Sequence, residues 1–90
     1  MTESQPQISL DSPAKYCIRI QGYLDYSYAE ECGGLVIVNE FNPHCPPTTL
    51  LIGWLTDQAA LFGVLNLLYA LNLPLLSVEC LAVTALLKND

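Results

Sequence analysis

Between Thr48 and Leu81 the spacing of apolar residues changes twice, and the changes divide the stretch into three elements. Thr48–Leu55 (TTLLIGWL) is rich in β-forming residues and predicts a strand. Next, Ala60, Leu61, Val64, Leu65, Leu68 and Leu71 recur at intervals of one, three, one, three and three. That is one face of a helix of period 3.6, a spacing no strand produces. Thr56 and Asp57 suit the N-cap, where a side-chain oxygen accepts from a free first-turn amide. Asn72 and Pro74 end the helix, which is expected to run about 14–16 residues. Leu75–Leu81 (LLSVECL) alternates again, with Leu76, Val78 and Cys80 expected inward and Leu75, Ser77 and Glu79 outward.

Upstream, Tyr16–Leu24 (YCIRIQGYL) also alternates. Tyr16, Ile18 and Ile20 suit a core, and Cys17, Arg19, Gln21 and Tyr23 suit a wetter face. Asp25–Glu31 predicts one or two helical turns closed by Gly33-Gly34. Leu35–Phe41 (LVIVNEF) reads as a second strand. The segment NPHCPP, with three prolines, predicts a longish hairpin loop without regular structure. Residues 1–14 are polar and predict a flexible N-terminal arm, leaving residues 15–90 as one domain. Residues 82–90 fit either a strand extension or a last helical turn.

This order predicts an α+β fold of the ferredoxin-like βαββαβ type. It would be a four-stranded antiparallel sheet with one long helix and a short or degenerate first helix. Right-handed crossovers place the first and third strands in the centre. Arg19 and Glu79 are then expected to pair across adjacent strands.

The far face of the long helix carries Phe62, Asn66, Leu67 and Tyr69, with no charge between Asp57 and Glu79. A helix apolar nearly all round is usually covered on more than one side. Gln58, Asn66, Asn72 and Pro74 interrupt the run short of the ~20 residues of a membrane span. These four far-face residues are therefore the candidate oligomer interface, with a two-fold dimer the expected assembly. The open sheet face is the rival surface. Composition supports association: 52% of the chain is hydrophobic and only 13% charged, about half the usual charged share. A net charge of −6 with three cations excludes nucleic-acid and anionic-membrane partners, which need clustered Lys and Arg.

Candidate chemistry is sparse. His44 and Cys45 are adjacent, but neighbours in sequence rarely converge on one atom, and no Asp or Asn is placed to orient the histidine. Cys32, His44 and Cys45 lack a fourth ligand and the spacing of a zinc site. Gly33-Gly34 precedes a strand, which disfavours a phosphate cradle. Arg19, Tyr23, Tyr26 and Glu79 are the candidate ligand or open-face residues. No catalytic set, cofactor or metal is expected. The first residues lack the apolar core of a secretory signal, so the expected location is cytoplasmic, with the four cysteines reduced.

The run RIQGYLD, followed by GGLVI, TTLLIG, DQAALFGVLN and LNLPLLSVE, resembles a small uncharacterised bacterial and cyanobacterial family. Its pattern is a glycine-leucine-aspartate turn, a double-glycine strand entry, a DQAAL-type helix and an LPLLSV exit. The resemblance covers about Ile18 to Glu79 and implies no activity. Two features stand apart from it: Leu67, Tyr69 and Ala70 replace charged helix positions, and the NPHCPP loop is rich in proline. The expected function is a non-enzymatic, self-associating interaction module. The alternative is an ACT-like regulatory domain that binds a small ligand between subunits.

Overall fold

Four strands and one α-helix make up the computed structural model, which describes residues 8–83. The elements are β1 (Ala14–Gln21), β2 (Val36–Asn42), β3 (Cys45–Leu55), α1 (Gln58–Ala70) and β4 (Leu75–Val83). The sheet order is β2-β3-β1-β4 with every neighbouring pair antiparallel, so the first and third strands are central. This is an α+β architecture. Ala14, grouped by composition with the N-terminal arm, is the first residue of β1 and fully buried. Just before it, the Leu10 carbonyl accepts from the Gln58 amide at 2.9 Å, tying residues 8–13 to the start of α1.

Local signals account for the helix. Asp57 caps it, its Oδ1 accepting from the Ala60 amide at 2.8 Å. At the other end Asn72 takes φ +62°. Its amide donates to Tyr69 O, and that of Leu73 donates to Leu68 O. This pair of bonds is a Schellman stop, which favours Gly or Asn at the left-handed position. Leu61, Val64 and Leu68 are buried, whereas Leu65 and Leu67 are only partly so. Leu67, expected on the free face, thus leans on the core. Each fully buried aliphatic side chain contributes about 1.5–3 kcal/mol.

One face of the sheet supplies the rest of the core. Tyr16, Ile18 and Ile20 of β1 are buried as their alternation predicts, beside Leu51 and Ile37. In place of a first helix there is a 3-10 turn at Tyr26–Tyr28, capped by Asp25, followed by turns to Gly34. This connection buries Leu24, Cys32 and Leu35. A polar latch holds it. Thr49, buried within the sheet, donates through Oγ1 to Gly22 O at 2.7 Å and also bonds Asn39 Oδ1. Asn39 Nδ2 in turn donates to Leu24 O.

Three expectations are corrected. First, NPHCPP is not a long irregular loop. The hairpin loop is only Pro43-His44, and Cys45, Pro46 and Pro47 belong to β3. Proline lacks an N–H and survives where the ladder asks for none. Here β1 ends opposite Thr48, and the β2 register shifts between Glu40 and Asn42. Second, β4 buries only Val83. Its register faces Leu75, Val78 and Cys80 to Ile20, Ile18 and Tyr16 on the helix side, so Leu75 points opposite to expectation. Leu76 and Leu81 are extra residues at the two register shifts. Among the strands α1 lies closest to β3, and β4 is at the sheet edge beyond its cover. Third, Arg19 pairs with Glu40 at 3.7 Å and faces Ser77, while Glu79 faces Cys17. Of residues 82–90, Ala82 and Val83 extend β4, and residues 84–90 lie outside the described part.

Candidate functional site

Two surfaces carry the residues singled out by sequence. On α1, Phe62, Asn66 and Tyr69 are exposed, Tyr69 at 84%, while Leu67 is half-buried. Phe62, Asn66 and Tyr69 share one side of the helix but form a broken patch, since Asn66 separates the two rings, and Leu67 lies off that side against the core.

On the sheet, the face away from the helix carries Arg19 and Glu79, as strand alternation predicts. Tyr23 and Tyr26 are exposed at the β1–β2 connection, so the four candidates do not meet at one point. Tyr23 packs on Phe41 instead, with ring centroids 5.7 Å apart at 31°. The same sheet face holds residues that sequence reasoning did not single out. Val36 (62% exposed), Val38 and Trp54 (47%) lie there, with half-buried Leu50, Ile52 and Cys17 between them. The run LVIV reads alike whichever face is covered, so only register reveals which residues are free.

Reactive groups are scattered. His44 is exposed in the hairpin turn, its amide donating to Asn42 Oδ1 at 2.9 Å. Cys45 is exposed beside it, and the four cysteines are free thiols. Burial, then the nearby Glu31 charge, pushes the Cys32 thiol above its ordinary value. The Ser27 amide, then its hydroxyl, holds the Asp25 carboxyl below the usual range. Among the described residues no three His, Cys, Asp or Glu side chains converge as metal ligands. Among them, too, no helix is long and apolar enough to cross a membrane.

One concavity opens between the end of α1 and the start of β4. Leu65, Leu68, Tyr69, Leu73, Pro74 and Leu75 line its roughly 200 Å³, with no charged side chain. A second, about 380 Å³, lies along the hairpin from Glu40 to Thr48 and includes Cys45. Neither holds an acid, base and nucleophile together.

No curated protein and no solved structure matches this chain. A family model does: the one described as a domain of unknown function, DUF8691, matches residues 15–79, and the chain belongs to that family.

Proposed function

We propose that this chain is a non-enzymatic interaction module that associates with itself as a two-fold dimer in the cytoplasm. One observation carries the reading. Large apolar side chains stay exposed on both sheet faces and on α1 (Trp54, Val36, Leu75, Phe62) in a chain only 13% charged. The part of this surface that is contiguous, Val36, Val38 and Trp54 on the sheet, supports an interaction role. Light scattering across a concentration series tests it: a mass of twice 9.9 kDa is expected, and a monomer at high micromolar concentration overturns it.

The fold we propose behind this role is ferredoxin-like, with the 3-10 turn in place of the first helix. The central β3–β1 pair and the passage of α1 from β3 to β4 support that assignment. We also take the GYLD, GG, TLLIG, DQAALFG and LPLLSV segments to be signatures of a bacterial family. The first four each hold a position that needs its residue: Gly22, Gly33, Gly34 and Gly53 have positive φ, and Asp57 caps α1.

The apolar cleft favours a second reading, an ACT-like domain that takes a small ligand at a subunit boundary. Its uncharged lining suits an apolar ligand and offers a charged metabolite no partner. A thermal-shift screen separates the two, because a ligand raises the melting point.

A further inference from the structure

We infer that the partner is a second copy of this chain, docked face to face on the sheet surface away from α1. This rests on the self-association proposed above and names its surface. The argument is electrostatic. The described cations are Lys15 and Arg19, and register places both on that face of β1. Glu40 and Glu79 lie on the same face, so two positive and two negative charges leave it neutral. The other described carboxylates, Asp11, Asp25, Glu30, Glu31 and Asp57, lie outside the four strands.

Copies of a chain with net charge −6 repel each other wherever their acidic surfaces meet. The outer sheet face carries both signs in equal number, so two copies can approach there without that cost and with opposite charges to set against each other. It is also apolar, with Val36, Val38 and Trp54 standing clear of the half-buried Leu50 and Ile52. Two such faces stack as sheet on sheet, about 10 Å apart. Pairing of β4 edges is the weaker geometry, since the shifts at Leu76 and Leu81 break its ladder. The α1 patch carries no charge of either sign to orient a partner, and the polar Asn66 interrupts it.

Trp54 is the chain's single tryptophan and lies on this face, so its fluorescence reads coverage directly. Light scattering and acrylamide quenching on one dilution series of the full chain test the inference. Dimerisation should reduce Trp54 quenching about twofold as water is excluded. Val38→Lys should give a folded monomer, and Phe62→Lys with Tyr69→Glu should leave the dimer intact. Arg19→Glu should weaken association about tenfold, more at low salt. Adding Glu40→Arg should restore it. Arg19→Glu serves even if Val38→Lys fails to fold, because the ion pair it removes is exposed and contributes little to stability. A wild-type monomer overturns both the self-association and this surface. A dimer whose Trp54 quenching does not change with concentration, and which survives Arg19→Glu, overturns this surface alone.

Discussion

Asn39 holds the backbone of Leu24 at both ends: its Nδ2 donates to Leu24 O at 3.0 Å, and its Oδ1 accepts from the Leu24 amide at 3.2 Å. One side chain on β2 thus acts as a strand partner for the exit of β1, and Thr49 bonds the same Oδ1 from β3. Truncating it strands several polar groups in a part-buried place. Asn39→Ala should cost about 1–3 kcal/mol. Urea unfolding checks this, and an unchanged midpoint would show that water replaces the latch.

Gly22 stands at a crowded corner. It has φ +117°, and a Cβ there would lie 2.8 Å from Leu73 Cδ2. Its amide donates to Pro47 O at 2.8 Å, so the backbone cannot move freely to relieve the contact. Gly22→Ala should therefore lose about 1–3 kcal/mol of stability. Thermal denaturation is the readout.

Gly63 is the opposite case. It is exposed inside α1, and a Cβ there meets nothing within 4 Å. Gly63→Ala should raise stability by about 0.5–1 kcal/mol through helix propensity and chain entropy. Circular dichroism melts should show a higher midpoint with unchanged assembly mass.

Leu68 and Leu65 separate the covered side of α1 from its margin. Leu68 is 2% exposed, and Leu65 lines the cleft beside Tyr69. Leu68→Ala should cost about 2–5 kcal/mol, and Leu65→Ala clearly less, because its site is already open on one side. Equal losses in denaturant titrations would mean that α1 is rotated from the orientation described.

The thiols should react in order of access. Cys45 and Cys80 are exposed, Cys17 is half-buried and Cys32 is buried with a raised pKa. A thiol-reactive dye at mild alkaline pH should label Cys45 and Cys80 first and Cys32 last. The sign of the linkage follows. Below the ordinary value of 9.0 both states keep the Cys32 proton. Above it the unfolded chain loses the proton first, so stability should fall as pH rises further.

Short-range pattern was enough to place β1 and α1. Their periods of two and 3.6 show which residues face inward, and the Asp57 cap and Asn72 stop act within a turn or two of chain. The Arg19–Glu79 side of the sheet was legible for the same reason, as plain alternation. Non-local geometry settled the rest. Leu75 changes face because β4 inserts an extra residue against β1, and a one-residue slip reverses every side chain beyond it. Pro46 and Pro47 join β3 because their neighbours leave those N–H positions unclaimed. Arg19 reaches Glu40 across β3, a partner assigned by strand order and not by sequence distance. Val36, Val38 and Trp54 likewise came to share one free face only once β2 and β3 had aligned, since an apolar run does not record which of its sides will be covered.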